Sequence, residues 1–346
     1  MKLGLTLGYW MAQPPQGAGE RVLEAEKLGY DIVFTAESWG SDAFTPLAWW
    51  GSATSRIKLG TSIVQLSARP PTSTAMAALT IDHLSAGRFV LGLGVSGPQV
   101  VEGWYGQPFG KPLARTREYI SIVRQVLARQ GPVANPGPHY PLPFNGPNSL
   151  GMGKALKPIT HPLRSDIPIF LGAEGPKNVA LAAEIADGWL PIFYSPKVAP
   201  MYNRWLSEGF SKPEARHKRE DFEIMANAMV MVTDDVEATI DSLRPIISLY
   251  VGGMGAPEMN FHKDMFARMG YQEEVDKIQQ LFLEGRRDEA ISAIPSEMID
   301  DIYLIGPKSR IREKVAQWEE AGVTTLVVGS TTIEEIRQVA DVVLGA

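Results

Sequence analysis

IPIFLGAEGPKNVALAAEIADGWLPIF, residues 167–193, holds the pattern that decides the fold. A short apolar run, IPIFLGA at 167–173, ends in a Gly-rich turn. KNVALAAEIAD then repeats its apolar residues at helical spacing, and GWLPIF at 188–193 is a second apolar run. Two continuous apolar runs joined through a helix read as parallel strands, because a parallel pair needs a crossover and crossover helices bury both sheet faces. The same alternation extends in both directions. Upstream lie LGLTL at 3–7, DIVFTA at 31–36, IKLGTSI at 57–63 and RFVLGLG at 88–94; downstream lie FEIMANAMVMV at 222–232 and TTLVVG at 324–329. Amphipathic segments such as GERVLEAEKLG, STAMAALTIDHLSAG, LARTREYISIVRQVLARQ, DVEATIDSLRPIISLYVG and SRIREKVAQWEEAG separate them. Eight strand runs predict an α/β fold closed into a (β/α)8 TIM barrel with insertions rather than an open doubly wound sheet, since closure leaves no unpaired edge. A single domain over 1–346 is expected. Two Pro- and Gly-punctuated stretches interrupt the repeat, at about 130–166 and 252–301, and read as insertions on the barrel. The first lacks a helical period, and its Tyr140 and Phe144 suggest a lid over the site; the second carries a charged helical part, YQEEVDKIQQLFLEGRRDEA.

Composition narrows the function. Lys and Arg number 33 against 39 Asp and Glu, a net charge of −6 with no basic arm, so nucleic acid is not the expected partner. The chain has no cysteine, which excludes disulfides, thiolate metal sites and a cysteine nucleophile and suits a reducing, cytoplasmic location. No stretch is long and apolar enough for a membrane span, and MKLGLTLGYW does not read as a signal peptide. None of the five histidines, His83, His139, His161, His217 and His262, falls at a strand end or pairs with another at ligand spacing, so no metal site is expected. GLGVSGP at 92–98 lacks the G-x-S-x-G of a serine hydrolase.

In a parallel barrel, chemistry collects at the strand C-termini. The residues there are Gly8, Tyr9 and Trp10; Glu37, Ser38 and Trp39; Ser62, Ile63 and Gln65; Gly94 to Gly97; Glu174, Gly175 and Lys177; and Tyr194 and Ser195. GLGVSG and GAEGPKN each set free backbone N–H groups beside a helix start, where a phosphate is held by dipole and hydrogen bonds; equally, their glycines could simply supply positive φ. Tyr9, Trp10, Trp39, Trp104 and Tyr105 form an aromatic mouth suited to a flat conjugated ligand, whereas Trp49 and Trp50 read as packing residues of the following helix. Glu37 and Glu174 could also face one cleft as a glycosidase pair, a reading that leaves the Gly-rich turns unexplained.

Taken together, GYDIVFTAESWGSDAFTPL at 29–47, SRIKLGTSIVQLSARPPTSTAMAALTIDHLSAGRFVLGLGVSGPQVVEGWYG at 55–106 and the stretch quoted first resemble the luciferase-like monooxygenase superfamily, in the branch that uses the deazaflavin coenzyme F420. The resemblance implies a bacterial luciferase-like barrel, a homodimer, and a cofactor ring across the strand C-termini. It further implies that Ser62-Ile63 occupies the place of a non-prolyl cis bulge behind the ring. Trp39 and Gln65 would join the cofactor site. The phosphate would lie against Glu174, Gly175, Lys177 and Asn178, with Ser96 and Gly97 contributing. Relatives that oxidise alcohols or sugar phosphates carry Asp-His after strand two and a Glu after the Gly-rich turn of strand four; here stand Glu37-Ser38 and Pro98, with Glu102 the nearest carboxylate, so that mechanism does not carry over. What remains is hydride transfer between F420 and a small-molecule substrate, with Glu37, Tyr9 and Ser38 as the catalytic candidates. Glu37 could instead hold a ring-edge group, and Arg69 could anchor an anionic tail or lie at the surface. An FMN-dependent monooxygenase and a non-catalytic flavin-binding protein are the alternatives.

Overall fold

The computed structural model describes residues 1–255 and 258–345; Ala256 and Pro257, within the GGMGAPEMN part of the second expected insertion, and Ala346 lie outside the described residues. Its strands are β1 (Lys2–Thr6), β2 (Ile32–Thr35), β3 (Lys58–Thr61), β4 (Val64–Gln65), β5 (Phe89–Gly94), β6 (Ile169–Gly172), β7 (Gly188–Leu190), β8 (Glu223–Ala228), β9 (Val230–Val232), β10 (Leu304–Gly306) and β11 (Thr325–Gly329). The main sheet runs β3-β2-β1-β11-β8-β7-β6-β5-β4, and β3 also pairs with β5, so the sheet closes. Every ladder in it is parallel. β3 and β4 are two halves of one stave, parted at Ser62-Ile63, whose peptide is cis. The result is the expected (β/α)8 barrel of eight staves with surrounding helices.

Side chains alternating along the strands fill the interior. Ile32, Phe34, Val90, Phe170, Leu190, Met225 and Val327 form a sealed inner core, with Ile63 packed on its top. Closure between β3 and β5 needs Gly92, where a Cβ would stand 1.8 Å from the Thr61 carbonyl oxygen. There the Thr61 hydroxyl accepts from Gly92 N and donates to Gly92 O, each at 2.9 Å. A larger residue at 92 would force that seam open.

Three expectations need correction. The run 222–232 is two strands: β8 stays in the barrel, while β9 leaves it to pair with β10 in a separate two-stranded sheet. Both sheets are covered, so the apolar run carries no mark of the division. The 130–166 stretch does not use Tyr140 as a lid aromatic. Tyr140 packs edge-on against Tyr119 at 5.4 Å, and Glu118 accepts from Asn135 Nδ2 and from the backbone N–H groups of His139 and Tyr140, pinning the insertion to the helix Pro112–Ala128. Phe144 stays half exposed. Trp49 does not pack: it is 77% exposed, whereas Trp50 is partly buried against the core and Trp10.

The second insertion is helical, with Phe261–Phe266, Gln272–Leu283, Arg287–Ser292 and Ser296–Asp300 docked on the long helix Val236–Gly253. Asn260 fixes its start. This buried side chain accepts from His262 N and Lys263 N, and donates to the carbonyls of Tyr250 and Val251.

Candidate active site

The floor of the barrel mouth is built by strand three. Ile63, which follows Ser62 through the cis peptide, packs over the inner core between β5 and β6. A Cβ on Gly94 would meet Ile63 at 2.8 Å and one on Gly172 would meet it at 3.1 Å, so these glycines are present for space. The positive-φ alternative does not describe these turns. In GLGVSG the left-handed residue is Ser96, at φ 61, and Gly97 and Gly175 are extended at φ −104 and −88.

Beside this floor sits a buried ion pair. Glu37, whose side chain is 2% exposed, accepts from Arg69 Nη1 at 3.0 Å on Oε2 and from the Gln65 backbone N–H at 2.7 Å on Oε1. Gln65 Nε2 donates to the Glu37 carbonyl, and Glu37 N donates to the Ile63 carbonyl. Glu37 therefore ties the loop after β2 to the stave containing Ser62 and Ile63. Arg69 is partly buried and commits Nη1 to Glu37; its guanidinium lies 5.0 Å from the centre of the Phe44 ring, and its carbonyl accepts from Tyr119. Of this group, Gln65 Oε1 is buried without a partner. Ser38 beside it is half-buried and Trp39 is 52% exposed on the rim. Tyr105 also borders the pair, and burial together with the Glu37 charge pushes its hydroxyl up from the ordinary tyrosine range.

Both Gly-rich turns lead into helices that begin with proline: Gly97 precedes Pro98–Gly103 and Gly175 precedes Pro176–Ile185. At the longer helix the backbone N–H groups of Lys177 and Asn178 belong to the first turn, and Lys177 is exposed. A Cβ at Gly175 would meet nothing within 4 Å.

Glu174 does not join them. Its carboxylate turns to His262, with Nδ1 and Oε1 3.0 Å apart, and its Oε2 is buried without a partner. His262 stands edge-on to Tyr250 at 4.9 Å and to Phe193 at 5.8 Å. Phe193 holds a left-handed backbone, φ 54, three residues past β7. Burial and the neighbouring Tyr9 push the Tyr250 hydroxyl well up. His262 does not itself fall at a strand end; its helix carries it to Glu174, just past β6. Nothing local to NFHKD at 260–264 shows where its helix docks; only the Asn cap, preceding a short amphipathic turn, was legible.

The mouth gathers Tyr9, Gln65, Ser96, Gly97 and Gly175 around an apolar floor, with Glu37 and Glu174 on strands three places apart around the ring. Fold and mouth define a class: a (β/α)8-barrel protein with a bulged third stave and Gly-rich turns after the strands. The chain belongs to the luciferase-like monooxygenase family, whose model matches residues 5–325. It is 64% identical over 343 residues, 99% of both chains, to a Mycobacterium tuberculosis protein whose name assigns it provisionally to the coenzyme F420-dependent oxidoreductases. It is 29% identical to a 5,10-methylenetetrahydromethanopterin reductase of Archaeoglobus fulgidus, over 88% of this chain and 87% of that one. The solved coenzyme F420-dependent tetrahydromethanopterin reductase of Methanopyrus kandleri superposes with a TM-score of 0.81 at 24% identity, over 99% of this chain and 98% of the other.

Proposed function

We propose that this protein is a coenzyme F420-dependent oxidoreductase that transfers a hydride between the deazaflavin and a small organic substrate. The observation that carries the reading is the 64% identity, over 99% of both chains, to the mycobacterial relative named for that coenzyme. The residues present fit the group. Ile63 offers a flat apolar floor for a tricyclic ring, and buried Gln65 Oε1 is an acceptor in need of a donor, such as a ring-edge N–H. The N–H groups of Lys177 and Asn178, after an unobstructed Gly175, suit a phosphate at a helix N-terminus, with Ser96 and Gly97 on the neighbouring turn. Ser62 precedes Ile63 on the same stave, and Trp39 stands exposed after β2.

When bound, the deazaflavin supplies a two-electron hydride donor or acceptor at C5. The chain supplies position and protons. Glu37 and Arg69 hold Gln65 and Ile63 in register, so Glu37 acts on the ring edge through Gln65 rather than as a free acid. Tyr9 and Ser38, partly exposed after β1 and β2, are the residues proposed to meet the substrate. The protein works as a homodimer in the cytoplasm, a setting that suits a chain without cysteine. Equilibrium titration of the purified protein with F420 and, separately, with FMN tests the cofactor: tight binding of F420 alone is expected. Binding of FMN alone would make it a flavin monooxygenase, and binding of neither would leave only the fold.

A further inference from the structure

We propose that Glu174 and His262 form the proton-supplying pair of this site, and that the substrate is a compound with a polarised double bond, a carbonyl or an enone. The proposal rests on the F420 reading above. In the loop after β2, both Glu37 oxygens are engaged by Arg69 and Gln65, and Asp42 accepts through Oδ1 from the backbone N–H groups of Phe44 and Thr45 at the start of the next helix. Across the mouth a second pair stands ready. His262 is carried there by the second insertion, and four hydrogen bonds through Asn260 fix its helix to the end of Val236–Gly253. Tyr250 and Phe193 hold the imidazole edge-on from two sides. Phe193 does so from a left-handed backbone, a conformation kept where the surroundings require it.

Glu174 Oε1 stands 3.0 Å from His262 Nδ1 in an ion-pair contact that is not aligned as a hydrogen bond, which leaves Nε2 on the opposite edge. A carboxylate this close to one imidazole nitrogen favours a positive charge on the ring by Coulomb attraction. The Glu174 oxygen that does not face His262 is buried without a partner, so this carboxylate is not consumed by structure as Glu37 is. Tyr9, Phe193 and Tyr250 set aromatic side chains beside the pair.

The chemistry balances with one reductant, the reduced deazaflavin. A hydride added to the carbonyl carbon, or to the β-carbon of an enone, breaks the π bond and leaves its electron pair on oxygen or on the enolate. The imidazolium Nε2–H bond breaks, its proton goes to that pair, and a neutral imidazole remains beside the Glu174 carboxylate. Solvent then restores the proton.

The test uses the full chain, reduced F420 and a panel of 2-cyclohexen-1-one, menadione, cyclohexanone and benzaldehyde. His262→Gln is expected to lower turnover about 100-fold and Glu174→Gln about tenfold, while the affinity of each for F420 stays within about twofold. Imidazole added to His262→Ala is expected to restore activity, which a packing role would not do. In the protein without coenzyme, Glu174→Gln is expected to move the 15N signals of the His262 ring. Loss of F420 affinity in both variants, absence of imidazole rescue, or unmoved ring signals would overturn the proposal. Wild-type protein that binds F420 but reduces no member of the panel would overturn it as well, leaving the cofactor reading intact. Wild-type protein that does not bind F420 would defeat both.

Discussion

At the scale of the residue, Gly175 and the Glu37–Arg69 pair separate cofactor binding from stability. Gly175 has an ordinary backbone and open space where a Cβ would go, so Gly175→Asp leaves the fold intact while setting a negative charge at the helix start. The substitution is expected to weaken F420 about tenfold or more at an unchanged melting temperature, measured by fluorescence titration and calorimetry. Undiminished affinity would place the phosphate elsewhere. Glu37 behaves differently because its carboxylate is buried. Arg69→Met strands that charge and is expected to cost about 3 kcal/mol in urea unfolding, with most of the loss recovered in the Glu37→Gln, Arg69→Met double variant. Equal losses in the single and double variants would mean that the pair is not coupled. The strand-end positions of Glu37, Gln65, Gly97 and Gly175 were legible in the sequence, because strand runs and Gly turns are local patterns. The partner of each side chain was not: Arg69 lies 32 residues from Glu37, and His262 lies 88 from Glu174.

At the scale of the element, the N-terminal end of the β6–β7 unit is pinned by Asp187. Its carboxylate accepts from Arg124, Arg216, His217 and the Ile169 backbone N–H. Burial pushes this carboxyl up, and the surrounding cations and hydrogen bonds outweigh burial, holding it at about 2 against an ordinary 3.8. The depressed value means that the stabilisation, about 2 kcal/mol, is fully present above pH ~4 and is lost as pH falls toward ~2. Asp187→Asn is expected to remove that part of the acid dependence, seen as a flatter unfolding free energy between those pH values. A wild-type slope in the variant would assign the acid loss to other groups. Elements also mark where sequence patterns end. The crossover at 167–193 is read correctly because its apolar runs and helical period switch at Gly and Asp. The β8–β9 division and the docking of the Phe261–Phe266 helix depend on distant partners, β10 and Tyr250, which no local period encodes.

At the scale of the whole molecule, charged networks such as that of Asp187 pin one end of the barrel, and the proposed chemistry belongs to the other. Trp49, Met76 and Leu84, on the adjoining helices Phe44–Gly51 and Pro71–Leu84, leave large apolar side chains exposed on the flank. A homodimer would cover such surface, and sedimentation is expected to give twice the chain mass of 37.9 kDa; a single-chain mass at micromolar concentration would contradict the dimer. Among the described residues no helix is long and apolar enough to cross a membrane. The central claim, that this mouth holds a deazaflavin for hydride transfer, is tested most directly by equilibrium binding of F420 against FMN to the purified protein. The account predicts saturable, tight binding of F420 that Gly175→Asp weakens, and no comparable binding of FMN; preference for FMN, or binding of neither, would contradict it.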